Sequence, residues 1–245
     1  MRTVGIIPAR YGSERLPGKP LLDIGGKPML WRVYQRVRDV PGLDAVFAAT
    51  DDQRIFRVCQ ELGIPARMTD PGHRTAAGRL WEASEMIPAD FYIQINGDEP
   101  LINPRAVEAA IPKEAPLGRE FGTNVITPIT DPAQVMDASN IKVVFDSGFR
   151  ALYMSRTPVP YPFKNMEFCY YKHVGIIGYN KKMLDFYHKS EPGFLERTEG
   201  IDTLRFLDYG KELRLIPVEG LSSLSVDTPQ DLEFVRAHFA AVFPC

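Results

Sequence analysis

Between Ile6 and Pro20 the sequence reads IIPARYGSERLPGKP, which gathers Arg10, Arg15 and Lys19 around Gly12 and Gly18 directly behind an apolar run. Fixed cations, glycines that let backbone N–H groups approach a ligand, and prolines that limit the loop's freedom make a reasonable triphosphate cradle. Two familiar cradles do not fit. A Walker A loop reads GxxxxGK followed by Ser or Thr, whereas five residues separate Gly12 from Gly18 and Pro20 follows Lys19. No GxGxxG opens the first turn either, which disfavours a nicotinamide enzyme. The bland reading of the loop is a solvated basic turn.

Two acidic positions complement it. Asp98, in NGDEP at residues 96–100, follows the run FYIQIN, and an acid at the carboxyl end of a central parallel strand faces the crevice where open α/β sheets bind ligands. Glu99 is a second candidate ligand beside it, and Pro100 stops the strand; a plain β-turn explains the same residues. Asp227, in SVDTP at residues 225–229, precedes Thr228, which serves as helix N-cap and leaves the aspartate free. Two carboxylates facing a cationic loop can hold Mg²⁺ against phosphate oxygens.

These residues need a scaffold, and the hydrophobic pattern supplies one. VGIIPA, AVFAAT, PARM and FYIQIN alternate with the helix-period segments PMLWRVYQRV and RIFRVCQEL. Such alternation, with strands apolar throughout, predicts an α/β fold: a mainly parallel twisted sheet with helices on both faces. NVITPI, IKVVF, RALYMS and HVGIIGY are further strands, TPVPYPFKN at 157–165 is an extended arm or loop, and residues 195–210 form a helix packing Leu204 and Phe206 or Leu207 inward. The last helix repeats Leu232, Val235, Phe239 and Val242, with Pro229 in its first turn. No repeat or boundary divides the chain, so residues 1–245 are expected to form one domain, its 150–175 arm suited to a dimer interface.

Composition narrows the partners. A formal net charge of −2 gives no global attraction for nucleic acid or an anionic membrane, so any anion must be met by a local cluster. Cys59, Cys169 and Cys245 fit neither a disulfide framework nor a CxxC metal site, which suggests a reducing cytoplasm. VGII at 4–7, followed at once by Pro8 and Arg10, is a core strand and not a signal peptide, and no run approaches the ~20 apolar residues of a membrane span.

Taken together, IPARYGSERLPGKPL with GKPML, ATDD at 49–52, INGDEP, ALYMSR at 151–156, YKHVGIIGY and VDTPQDLE resemble the bacterial 3-deoxy-manno-octulosonate (Kdo) cytidylyltransferases, over nearly the whole chain and in the same order. The resemblance implies a nucleotide-diphospho-sugar transferase fold, usually dimeric, in which a sugar-acid hydroxyl attacks the α-phosphate of CTP with Mg²⁺ as cofactor. It assigns Arg10, Arg15, Lys19 and Asp98 to catalysis, and Pro8, Ala9, Arg10, Gly12, Lys19, Thr75 and Arg79 to the nucleotide. Asp98 and Asp227 become metal ligands, while Arg156 and His173 face the acid. Without the resemblance, His173 is a satisfied structural residue and Arg156 a surface ion pair.

Two stretches depart from the family. Its His-x-Ser-Gly-Thr-Asp-Arg sequence near the base and ribose reads HRTAAGR here, with Ala76, Ala77 and Gly78 replacing glycine, threonine and aspartate. Fewer side chains then read the cytosine. The adjacent Glu and Gln that contact the sugar acid correspond to Asp202 and Thr203, which shortens reach and removes an amide. An 8-amino analogue, another ulosonic acid or a phosphonoformate-type acid is therefore open as acceptor. A sugar-1-phosphate nucleotidyltransferase and a non-catalytic nucleotide-binding regulator are the remaining readings.

Overall fold

The computed structural model describes residues 1–13, 15–165, 167–221 and 224–242; Cys245 and the side chain of Val242 lie outside the described set. In chain order the elements are β1 (Thr3–Ala9), β2 (Asp23–Ile24), β3 (Lys27–Pro28), α1 (Met29–Val37), β4 (Ala45–Thr50), α2 (Gln53–Glu61), β5 (Ala66–Met68), α3 (Ala76–Met86), β6 (Phe91–Ile95) and α4 (Pro104–Ala110). They continue with β7 (Phe121–Pro128), α5 (Pro132–Met136), β8 (Lys142–Phe145), β9 (Ala151–Ser155), β10 (Tyr171–Asn180), α6 (Lys181–Lys189), α7 (Phe194–Glu199), α8 (Leu204–Asp208), β11 (Glu212–Pro217) and α9 (Pro229–Val242).

The main sheet runs β11-β7-β10-β6-β1-β4-β5, with β8 and β9 branching from β10. β5, β4, β1 and β6 are mutually parallel, as are β7 and β11; β10 runs antiparallel between β6 and β7. Successive side chains of a strand point to opposite faces, so β1 sends Ile7 and Ala9 into one core and Val4 and Ile6 into the other. The first core packs under α1, α2 and α4 through Leu30, Val33, Ile55, Cys59 and Val107. The second packs under α3, α6 and α8 through Leu80, Met183, Leu184, Leu204 and Phe206. Helices thus cover both faces, as the near-continuous apolar strands require.

Short caps set where the helices begin. Asp52, Thr75, Asn103 and Asn180 each accept a backbone N–H from the first turn of α2, α3, α4 and α6. At α9, Thr228 Oγ1 accepts from Asp231 N while the Asp231 carboxylate accepts from Thr228 N, a reciprocal capping box. A third, smaller core lies beneath α9: Leu16, Ile24, Met29, Val226, Leu232, Val235 and Phe239. It joins the opening loop to the segment before α9, which are far apart in sequence.

Two features differ from the sequence expectation. The stretch 195–210 is not one helix: Gly200, in the left-handed region at φ 64°, ends α7, and α8 starts after a turn containing Asp202. Leu204 and Phe206 are fully buried, and Leu207 only partly. The strand β11 was not anticipated; it pairs with β7 at the sheet edge. The segment 157–170 has no helix or strand among its described residues, and Tyr161 and Phe163 are each 82% exposed.

Candidate active site

The ends of β1 and β6 open into a cleft of about 440 Å³ lined by the opening loop, residues 73–76, Asn96–Asp98 and Asp227. The two strand ends approach so closely that a Cβ on Gly97 would stand 3.0 Å from the Pro8 carbonyl oxygen, which accounts for glycine there. Tyr11 O closes the loop by accepting from Ser13 N and Gly18 N, and Gly18 turns in the left-handed region at φ 68°. Arg54, paired with Asp52, stacks its guanidinium 3.3 Å from the centre of the Tyr11 ring.

At the centre of the cleft Lys19 Nζ lies 2.7 Å from Asp98 Oδ2, 3.2 Å from Asp227 Oδ1 and 3.0 Å from the Val226 carbonyl oxygen. Arg15 adds a second contact to Asp227 Oδ1 at 3.1 Å. A backbone bond from Val226 N to Asp98 O holds the two acidic segments together at 2.9 Å. The opening loop, the turn after β6 and the turn before α9 therefore meet on two carboxylates. The two carboxylates that share this ammonium offer hard oxygen donors of the kind a divalent cation also takes.

Pro8, Ala9, Arg10, Thr75 and Arg79 line the same cleft, as the sequence reading expected; Gly12 does not. Arg10 is exposed and makes no hydrogen bond or ion pair with any described residue. Arg79 is buried and spent: it pairs with Asp51 at 2.6 Å and donates to Thr69 Oγ1. Thr75 Oγ1 is likewise occupied, accepting from Gly78 N at 3.2 Å and from Tyr187 Oη at 3.0 Å. Sequence reasoning missed Arg74, a second exposed cation in the lining without an ion pair among the described residues, and Asn96. The only signal for Arg74 was its place in the loop before α3. Counting Arg10, Arg15, Lys19, Arg74 and Arg79 against Asp98 and Asp227, the lining carries a surplus of positive charge.

The residues expected to face the acid do not line this cleft. Arg156 donates to the carbonyls of Glu199, Gly200 and Ala138, and so caps the end of α7. Thr203 is fully buried with its hydroxyl 3.3 Å from Met154 Sδ, so it offers nothing to a ligand in this arrangement. Asp202 is partly buried; burial, then the neighbouring Glu196, pushes its carboxyl above the ordinary range. His173 Nδ1 lies 2.7 Å from Asn124 Oδ1, and burial lowers its pKa to about 4. Glu99 is buried beside Asp98, and burial, then the Asp98 charge, raises its pKa to about 8. Cys59 is a buried free thiol and Cys169 an exposed one.

Comparison with known proteins places the chain in a family. Residues 4–213 match the family model described as Cytidylyltransferase. The chain is 40% identical over 241 residues to the 3-deoxy-manno-octulosonate cytidylyltransferase of Escherichia coli, covering 98% of this chain and 96% of that protein. It is 36% identical over 244 residues to the 8-amino-3,8-dideoxy-manno-octulosonate cytidylyltransferase of Shewanella woodyi, covering 98% and 99%. Among solved structures, a CMP:2-keto-3-deoxy-manno-octonic acid synthetase complexed with CTP superposes with a TM-score of 0.91 at 39% identity, covering 99% of this chain and all of that one. A Leptospira borgpetersenii cytidylyltransferase, at 16% identity and TM-score 0.63, shares the fold. By sequence along its whole length and by structure, the chain belongs to the cytidylyltransferase family, as a nucleotidyltransferase of the 3-deoxy-manno-octulosonate cytidylyltransferase group.

Proposed function

We propose that this cytidylyltransferase moves CMP from CTP to the hydroxyl of a Kdo-like ulosonic acid and releases pyrophosphate, with Mg²⁺ as cofactor. The observation that carries the reading is that Lys19 bridges Asp98 and Asp227 at the mouth of β1 and β6, with Arg15 also on Asp227. Asp98 and Asp227 would hold the Mg²⁺, which when bound supplies positive charge to phosphate and substrate oxygens. Among the described residues no group of three or more His, Cys, Asp or Glu converges. Two carboxylates completed by substrate oxygens suit this ion's habit.

The chain's own residues do the remaining work. Arg10, Arg15 and Lys19 bind the triphosphate and stabilise the charge that grows on pyrophosphate, an electrostatic contribution made by side chains already in place. Arg74, across the cleft on the loop before α3, adds a further donor. His73, the imidazole of the lining, is held through Nε2 by Glu82 at 2.6 Å. In this reading, alignment and charge supply most of the rate.

The acceptor class follows from the relatives, which are named for Kdo and for its 8-amino derivative; Asp202 in place of the family's glutamate keeps both open. The regulator suggested by the TAAG stretch is set aside by family membership and the intact charge cluster. The test is mass spectrometry of the CMP adduct formed from CTP, Mg²⁺ and Kdo, 8-amino-Kdo, phosphonoformate or a sugar 1-phosphate, with pyrophosphate followed in parallel. An adduct with either octulosonic acid supports the reading. Pyrophosphate formation only with a sugar 1-phosphate would overturn it.

A homodimer built through residues 150–175 belongs to the same proposal. Leu152, Tyr161, Phe163 and Phe168 are exposed there, and sedimentation of Tyr161→Ser/Phe163→Ser as a monomer would support it. No helix among the described residues is long and apolar enough to cross a membrane; action in the cytoplasm, where CTP is made, is part of the proposal.

A further inference from the structure

Lys19 and Arg10 both line the cleft, but they are placed by different means. Lys19 is held by Asp98 and Asp227. Arg10 has no side-chain partner among the described residues, so its direction depends on a backbone that runs from β1 straight into Tyr11. Tyr11 also closes the loop: its carbonyl oxygen accepts from Gly18 N at 2.9 Å. Its ring packs so closely on Gly18 that a Cβ there would stand 3.1 Å from Tyr11 Cε2 and Cζ. Whatever fixes that ring limits how far Arg10 can stray.

Arg54, on α2, lies over the ring with its guanidinium carbon 3.3 Å from the ring centre. Asp52 Oδ1 accepts from Arg54 Nε at 2.9 Å and Oδ2 from Nη2 at 2.7 Å, a two-pronged pair that sets the plane of the guanidinium as well as its place. Asp52 is itself held, because the same Oδ1 caps α2 by accepting from Arg54 N at 2.8 Å. The turn beneath is anchored in the sheet. Thr50 O, at the end of β4, accepts from Thr69 N and Thr69 Oγ1, and Asp51 pairs with the buried Arg79 at 2.6 Å. None of Tyr11, Asp52 and Arg54 lines the cleft.

We infer that Asp52 and Arg54 are positioning residues, a brace that holds Tyr11 and through it pre-arranges the opening loop and Arg10 for the triphosphate. The nucleotide half of this inference rests on the proposed use of CTP. Preorganisation raises affinity by cutting the ordering cost of binding, so loss of the brace should weaken CTP binding and leave the acceptor alone. An exposed ion pair adds little to stability, so the melting temperature should hardly move.

Calorimetric titration of the full chain with CTP and Mg²⁺, without acceptor, tests the nucleotide half. Arg54→Ala should weaken binding about three- to fivefold, the strength of one cation held over an exposed ring. Acceptor KM should stay within about 1.5-fold. Tyr11→Phe keeps the ring and should bind CTP as the wild type does. In a Tyr11→Leu background, Arg54→Ala should add nothing, since its route to the nucleotide is gone. Asp52→Asn preserves the α2 cap but turns an amide N–H toward the guanidinium, and should weaken CTP binding about two- to fivefold. Amide exchange at Gly18 N reads the brace without nucleotide and should quicken about three- to fivefold in Arg54→Ala.

CTP binding unchanged within about 1.5-fold in Arg54→Ala overturns the inference. So does an equal further loss when Arg54→Ala is added to Tyr11→Leu, which would mean that Arg54 acts by its charge and not through the ring. If Tyr11→Leu fails to fold, Arg54→Lys decides: it keeps the charge without the flat two-pronged pair, so a brace requires weaker binding and a charge effect requires none. Absence of CTP binding by wild-type protein would sink the functional reading and the nucleotide half with it. Exchange at Gly18 would still decide the brace.

Discussion

Arg205 places Nε and one terminal nitrogen on the two oxygens of Glu196, at 2.6 and 2.7 Å, and the other terminal nitrogen on the Tyr187 and Ser190 carbonyls. Its side chain and that of Glu196 are each 9% exposed. Lys19 is also held by carboxylates, but Asp98 and Asp227 are 24% and 40% exposed, and Asp227's other partner, Arg15, is 63% exposed. In the first cluster the acceptors close around every donor group. In the second, solvent reaches every member, and Arg10 and Arg74 add positive charge without an ion pair among the described residues. The difference separates a pair that fixes α7 against α8 from one that can exchange partners with an incoming phosphate, because only exposed, oversupplied charge rearranges cheaply.

The comparison breaks most decisively at Asp98. Asp98→Asn keeps the shape and removes one of the two charges on which the mouth is built, so kcat/KM should fall by about 10²–10³, the range for losing one electrostatic stabiliser in an active site. Pyrophosphate release measures it. Retention of activity within about tenfold under saturating Mg²⁺ would place the reacting centre elsewhere. Thermal unfolding should move little, since the carboxylate is partly hydrated.

Arg205→Met is the opposite experiment. It leaves Glu196 buried and unpaired, and breaking a buried pair costs about 3–5 kcal/mol, or a melting point lower by roughly 10 °C at this chain length. CTP affinity should hold. Adding Glu196→Leu should restore most of the lost stability, because the penalty belongs to the stranded charge. If the double variant were no better than the single one, the pair would not be the closed unit described here.

A smaller effect is expected at Arg74. Arg74→Ala should raise KM for CTP about tenfold without altering the melting temperature, as suits an exposed cation that meets only a phosphate. An unchanged KM for CTP would show that the surplus charge on that side of the cleft does not reach the nucleotide.

Arg74 also shows what a sequence can and cannot disclose. The strands of the sheet centre were legible because they are buried on both faces and read as unbroken apolar runs. β11 was not, since an edge strand alternates Glu212 and Arg214 with Leu213 and Leu215 and resembles a surface segment. Asp98 and Asp227 were legible as strand-end and pre-helix acids. That Lys19 bridges them depends on the small core in which Leu16 and Met29, near the start of the chain, pack against Val226 and Leu232, near its end. Thr203 was expected at the acceptor because it corresponds to the family's glutamine, and a correspondence of position carries no mark of burial. The turn after Gly200 directs it onto Met154. Motifs announce which groups a chain has, and topology decides which of them are free.

The last and smallest effect tests whether the β10 side stays uncharged. His173 has a folded pKa of about 4 against 6.5 for the unfolded chain, with burial as the cause. As pH falls below the higher value, the unfolded chain takes a proton that the folded chain refuses, so stability falls with acid through that window. Integrating the difference over the single unit from about pH 6.5 to about 5.5 gives roughly 1 kcal/mol, or a melting point lower by about 2–4 °C. His173→Phe removes this component and leaves every other titrating group, Glu99 included, as it was. The wild type should therefore lose about 2–4 °C more than the variant over that unit, measured by calorimetry in matched buffers. Equal losses would mean that His173 accepts a proton in the folded protein, and the contrast between a charged mouth and an uncharged ring on β10 would fail at that residue.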